Sequence, residues 1–369
     1  MKYRELGETK IKIPVVGMGT ADVKGASDFV KVIKKGIDLG MTLIDTAEVY
    51  DKGVSEELVG QGIRNVRKKV IVASKVSPEN LSCDDLLSSL DKSLKRLKSE
   101  YIDLYQIHWT NPKVTFQETA EGMLKAIKAG KIRYIGICNC SATEIDDFNL
   151  LLKEEKVVSL QVEYNLRERY IEKEIVNKCL NSKTTIIAYS PLLHGKLSSG
   201  NEKIQVLRKL AEKYNKTLAQ IALNWVVHKE PIIAIPKTTS DKHLTENAGA
   251  ADFVLDENEY SFINNMFKPN IASVPTDNIH VSQQGIDNRK VYNTMEEALA
   301  NKFKFTPSPL DLADDIRNGH ILKPVKVVKN KNIDKKYEYE LIEGRIRYWA
   351  WVIAFKGQKP IEVLINEDY

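Results

Sequence analysis

Short apolar, β-branched runs alternate with longer amphipathic stretches over the first 270 or so residues of the chain. The runs fall at 13–18, 42–45, 70–75, 103–108, 134–139, 159–163, 185–189 and 232–236. Between them the apolar residues recur at helical spacing. In the segment 84–97, Leu86, Leu87, Leu90, Leu94 and Leu97 line one face, as a helix packed against a core requires. Eight strand–helix repeats in about 250 residues fit a closed parallel (β/α)8 barrel, a TIM barrel, better than an open sheet. The opening segment 2–14 predicts a β-hairpin turning at Gly7-Glu8 ahead of the first barrel strand.

The alternation stops at Phe267. Lys268-Pro269-Asn270 begins a polar, irregular stretch, and 268–289 is read as a linker between a barrel at 1–267 and a second domain at 290–369. The pattern there predicts helices at 296–301, 310–318 and 345–355 and strands at 325–328, 337–342 and 361–365, a small α+β fold.

Composition changes this picture little. Of 369 residues, 43% are apolar and 28% charged, as in an ordinary soluble domain. The net charge of +5 is spread out: from Asn293 onward 13 Lys/Arg face 12 Asp/Glu, leaving +4 for the rest. Nucleic-acid modules usually carry a clear basic excess, so DNA is not expected as the main partner. The start, MKYRELGETK, has no apolar signal core, and no run is long enough to span a membrane. The four cysteines form no CxxC pair and have no histidine at metal-ligand spacing, which speaks against zinc or disulfides. A reducing cytoplasm and no metal are the expectation.

The chemistry is expected where barrel strands end. Strand 2 ends in Asp45 with Tyr50 just beyond, strand 3 in Lys75 and strand 4 in His108. Charged groups at the ends of apolar runs are costly unless paired, which argues for one shared site. Reduction of a carbonyl would use such a set. A phenol supplies the proton, a nearby ammonium lowers its pKa, a carboxylate holds the ammonium, and an imidazole orients the oxygen.

Asp45, Tyr50, Lys75 and His108 match, in order and spacing, the catalytic tetrad of the aldo-keto reductase superfamily. Residues 1 to about 270 resemble that family through DTAEVY with SEELVG, then SK, DLYQIHW, GICN, QVEYN, YSPL and IPKT. The resemblance implies a nicotinamide dinucleotide across the barrel mouth, with Gly19 and Thr20 among its contacts. It further implies Tyr189 stacked on the nicotinamide, Asn139 and Gln161 on the carboxamide, and Ser190 and Leu192 along the pyrophosphate. Lys237 and Thr238 fall near the adenosine phosphate, and Glu246 and Asn247 near the adenine. Trp109 is expected as an apolar wall of the substrate pocket. No GxGxxG follows a strand; Gly17-Met18-Gly19 lacks the third glycine, so a Rossmann site is not expected.

Three departures stand out. Asp51 follows the tyrosine where the family usually has glycine, and Cys138 replaces the serine of the usual GVSN string. His243 falls where many NADPH-preferring members carry arginine, whose bidentate fork histidine lacks. NADPH is the expected cofactor and NADH the second candidate, with a small-molecule aldehyde, ketone or sugar carbonyl as substrate.

In the second domain, NGHILKPVKVV, YELIEGRIRYWAW and PIEVLI are similar to the ParB/sulfiredoxin-like fold. The helix opening at Gly344 with Arg345 and Arg347 is a candidate anion site, a nucleotide phosphate being the natural ligand. The domain has no cysteine, which excludes sulfiredoxin chemistry. Arg345 stands where ParB proteins carry an acidic residue. Two alternatives to a plain reductase follow. The barrel could be a redox-sensing or regulatory module that binds cofactor without turnover while the second domain binds a nucleotide or macromolecule, or the second domain could grip a nucleotide handle on the substrate.

Overall fold

The computed structural model describes residues 1–23, 28–198, 202–282, 292–318, 323–330 and 337–366. The chain divides into two units, Met1–Phe267 and Lys268–Tyr369.

In the first unit eight parallel strands pair in chain order: Met18–Gly19, Leu43–Asp45, Ile71–Val76, Ile102–Ile107, Ile132–Cys138, Val157–Glu163, Thr185–Tyr189 and Ile232–Ala234. Bridges Val16 to Ala234 and Gly19 to Lys237 join the first strand to the eighth and close the barrel. The seam is tight. A Cβ on Gly17 would lie 2.8 Å from the Leu43 carbonyl oxygen, and one on Gly19 2.8 Å from that of Ile235. Closure therefore selects glycine at both positions.

The expected first strand at 13–18 is divided. Lys12–Pro14 pairs antiparallel with Tyr3–Glu5 as the predicted hairpin, and only Met18–Gly19 joins the barrel ladder. Both partners favour extended backbone in an apolar run, so periodicity alone cannot separate them.

The helices follow from their caps and apolar faces. Cys83–Leu97 starts at Ser82, whose side chain accepts the Asp85 N–H, and buries Leu86, Leu90, Leu94 and Leu97. Capping boxes open Phe116–Lys128 (Thr115 with Glu118), Ala142–Leu151 (Ser141 with Glu144) and Leu218–Val226 (Thr217 with Gln220). One continuous apolar cluster fills the space between strands and helices.

The second unit contains a mixed five-stranded sheet in the order Ile271–Val274, Ile361–Ile365, Val325–Lys329, Tyr339–Glu343, Ile279–His280. The linker expected at 268–289 is thus corrected: it supplies both edge strands. Ile271–Val274 lies antiparallel to Ile361–Ile365, and Ile279–His280 parallel to Tyr339–Glu343. Each is too short to signal a strand by itself, and its partners lie at least 60 positions further along the chain. Val274, Ile279, Val325, Val327, Leu341 and Val363 form the core of this unit. Helices Pro309–Arg317 and Arg345–Phe355 meet through Ala313, Ile316 and Ala350.

Candidate active site

Asp45 ends the second strand, Lys75 lies in the third, and His108 directly follows the fourth. Because successive residues of a strand alternate sides, Leu104, Gln106 and His108 share one face of strand 4, while Tyr105 takes the other. Tyr50 opens a short turn, Tyr50–Gly53, with left-handed backbone at Asp51 and Lys52, that leads into helix Val54–Ile63.

Lys75 has no exposed surface and Asp45 has 2%. Lys75 Nζ donates to Asp45 Oδ1 at 2.6 Å, to the Thr46 carbonyl at 2.9 Å and to Tyr50 Oη at 3.1 Å. All three ammonium protons are satisfied. Asp45 Oδ2 accepts from Gln161 Nε2 at 2.7 Å and from Gln106 Nε2 at 3.3 Å. The Tyr50 and His108 rings meet edge-on with centroids 5.7 Å apart. The four expected residues are therefore one cluster, with both lone carboxylate edges of Asp45 occupied.

The electrostatics follow from burial. Desolvation works against the charge on Lys75, but Asp45 and the Tyr50 oxygen outweigh it and hold the ammonium above its ordinary value. For Tyr50, burial raises the phenol and outweighs the opposing pull of Lys75, so its pKa lies above the usual 10. The expectation that the ammonium lowers this pKa holds for its contribution alone, not for the sum. Burial, aided by the Lys75 charge, depresses His108 to about 3. Its imidazole is neutral at physiological pH and offers a single N–H.

Two consequences of the neutral imidazole can be measured. Titration of His108 should add no limb to the pH dependence of kcat/KM between about pH 5 and 8. The unfolded chain takes up a proton at this residue near pH 6.5, and the folded chain only near 3. Its contribution to stability is thus complete above about 6.5 and lost as pH falls toward 3. Replacement of His108 by Asn should flatten that part of the stability curve in chemical denaturation; an unchanged curve would contradict the assignment.

Of the cofactor positions implied by resemblance, Asn139, Tyr189 and Ser190 end or directly follow barrel strands, while Glu246 and Asn247 lie on helix Asp241–Ala248. Asn139, with φ of 58°, donates from Nδ2 to the His108 carbonyl at 3.2 Å and accepts from Tyr189 Oη at 3.0 Å. Tyr189, Ser190 and Leu192 are half-buried, as are Thr238 and Glu246, while Lys237, Lys242 and His243 are exposed. The last two lie at the start of helix Asp241–Ala248, capped by Ser240. Gln161 is engaged by Asp45, as described. Asn247 is buried.

Thr20 departs from its expected role. It is fully buried, and its hydroxyl donates to the Asp45 carbonyl at 2.9 Å and lies 2.6 Å from Ser55 Oγ. Its side chain braces the end of strand 2 and presents no surface to a ligand. Trp109 is 47% exposed next to His108. Cys138 is buried, and burial pushes its thiol up, so it is inert as a nucleophile.

Gln106 was not singled out by sequence. Its signal was present: a glutamine among apolar neighbours in YIDLYQIHW, two positions before the histidine and thus on the same strand face.

The proposed anion site of the second unit is not built as one. Arg345 is 7% exposed, and its guanidinium donates to Asn293 Oδ1 and, at 3.3 Å, to Ser282 Oγ. Arg347 Nη1 donates to the Lys323 and Pro324 carbonyls at 2.8 and 3.0 Å. Gly344, with φ of 94°, provides the turn into the helix. Both forks bind the chain's own oxygens, which a phosphate would have to displace. Tyr348, Trp349 and Trp351 likewise donate to backbone carbonyls and pack against apolar neighbours.

At the strand ends of a closed barrel lies a buried carboxylate–ammonium–phenol cluster beside an imidazole. The chain belongs to the aldo/keto reductase family, whose model matches residues 15–267, and with it to the NAD(P)H-dependent oxidoreductases. It is 34% identical over 262 residues to the methylglyoxal reductase YeaE of Escherichia coli, covering 70% of this chain and 92% of that protein. It is 31% identical to a glyoxal reductase of Bacillus subtilis, over 70% of this chain and 90% of the relative. A solved aldo-keto reductase of Klebsiella pneumoniae in complex with NADPH is 33% identical with a TM-score of 0.67, covering 72% and 95% of the two chains. Among the described residues, no helix is long and apolar enough to cross a membrane.

Proposed function

We propose that the barrel reduces a small aldehyde or ketone with NADPH, and that Tyr50 is the general acid. The observation that carries this reading is the Tyr50 hydroxyl held 3.1 Å from a fully buried, permanently charged Lys75. The phenol stays protonated in the resting site because burial raises it. When its proton passes to the carbonyl oxygen, the phenolate left behind faces an ammonium already in hydrogen-bond contact. Asp45 keeps Lys75 charged and fixed, and the N–H of neutral His108 orients the substrate oxygen.

The residues at the mouth suit a nicotinamide dinucleotide, which supplies the hydride when bound. Tyr189 presents a half-buried ring whose hydroxyl is tied to Asn139. Lys237, Lys242 and His243 are exposed, and the family resemblance puts the adenosine phosphate beside Lys237, with Lys242 a second cation near by in sequence. That supports NADPH over NADH despite the missing arginine. Relatives named for methylglyoxal and glyoxal suggest short 2-oxoaldehydes as the substrate class.

For residues 268–369 we read a ParB/sulfiredoxin-like arrangement from the strand–glycine–helix–strand order. The engaged arginines support a structural role for Gly344, Arg345 and Arg347 rather than nucleotide capture.

The test is loss of NADPH absorbance at 340 nm with methylglyoxal, glyoxal and an aldose, repeated with NADH. Turnover of the dicarbonyls, faster with NADPH, is the expected result. No oxidation of either dinucleotide by any of the carbonyls would refute the reading.

A further inference from the structure

The turn that carries Tyr50 is left-handed at three successive residues. Asp51 has φ of 50°, Lys52 of 58° and Gly53 of 92°. For the two with side chains this costs about 1–2 kcal/mol each, so the surroundings must hold them there. The holding contacts run to both sides. Toward strand 3, Glu48 Oε1 accepts the Ser77 N–H at 2.6 Å and an Asn80 Nδ2 proton at 3.1 Å, and the Glu48 N–H donates to the Lys75 carbonyl at 3.4 Å. Toward strand 1, Asp51 Oδ2 accepts the Val23 N–H at 2.8 Å. One helical turn later, Ser55 Oγ donates to the Thr20 carbonyl at 2.9 Å.

We propose that Asp51 is a positioning residue for Tyr50: its carboxylate ties the tyrosine turn to the loop after the first strand and so sets the Tyr50–Lys75 contact. This rests on the reductase reading above. The geometry is that of a segment hung between two loops. Glu48 fixes it to the strand that bears Lys75, and Asp51 keeps the far side of the turn from swinging away. Slack on the Asp51 side would lengthen the 3.1 Å contact between Tyr50 Oη and Lys75 Nζ. Glycine at 51 would satisfy the backbone but could not accept the Val23 proton. Aspartate meets both needs at once, since short polar side chains tolerate the left-handed region.

Asp51→Gly and Asp51→Asn separate the tether from the backbone. Gly should release the Val23 amide to hydrogen exchange and lower kcat with methylglyoxal about tenfold, because small misplacements of reacting groups are expensive. NADPH affinity should stay as in the parent, and Tm should not fall, since glycine accepts this backbone conformation without strain. Asn keeps an acceptor oxygen and should restore both amide protection and kcat. A Gly variant with parental kcat overturns the proposal, as does an Asn variant as slow as the Gly one. If the parent protein reduces no carbonyl with NADPH, the reductase reading fails by itself. The proposal is then decided by the alkaline absorbance titration of Tyr50, isolated by difference against Tyr50→Phe. A moved midpoint in Asp51→Gly supports it, and an unmoved one overturns it.

Discussion

Tyr50→Phe is expected to lower kcat by about 10²–10⁴-fold while leaving NADPH affinity unchanged. The substitution deletes one oxygen and keeps the ring, so the edge contact with His108 and the placement of Lys75 Nζ 4.6 Å from the ring centre survive. Lys75 loses one acceptor of three but retains Asp45 Oδ1 and the Thr46 carbonyl. The ammonium proton left unpaired should lower stability by about 1–3 kcal/mol, leaving the chain folded, so a much larger fall in turnover would reflect the missing proton donor. Transient kinetics would show it as a slower reduction step, with the dissociation constant for NADPH from fluorescence titration as the control. His108 could not take over, because its depressed pKa leaves it unprotonated above about 3. Turnover within tenfold of the parent would remove Tyr50 from the role of acid.

Lys75→Met should be the more damaging substitution, acting on both stability and rate. The ammonium and the Asp45 carboxylate are almost wholly buried, and each is the other's counter-charge at 2.6 Å. Removing one partner of such a pair leaves an uncompensated buried charge, which costs about 3–5 kcal/mol. The amide donors of Gln106 and Gln161 remain, but amide hydrogen bonds replace only part of an ammonium. Adding Asp45→Asn removes the stranded charge, so the double variant should regain most of the lost stability in urea unfolding. It should not regain turnover, because nothing would then stabilise the phenolate of Tyr50. Recovery of both properties, or of neither, would show that the pair does not act as described.

Much of this was legible along the chain. The eight-fold alternation is a consequence of burying each strand between the barrel interior and the outer helices, which forces short apolar runs, and it predicts the barrel without any contact being known. Asp45, Lys75 and His108 were visible because charged or polar groups that end apolar runs need partners. The same reasoning could have reached Gln106, whose face on strand 4 it shares with His108.

Other features depend on partners remote in sequence. Nothing local marks Ile271–Val274 and Ile279–His280 as strands; their hydrogen bonds come from strands at 361–365 and 339–343. Thr20 was named by resemblance and the arginines of the second unit by residue type at a helix start, and only folding revealed where their hydrogen-bonding groups point. The sign of the Tyr50 shift is of the same kind. Sequence could place an ammonium beside a phenol, but the balance between charge and desolvation depends on how much water the folded chain excludes. Residue identity and period thus determine the barrel and single out the residues that cluster at its strand ends. Burial and the direction of each polar group, which no local pattern encodes, decide what those residues do.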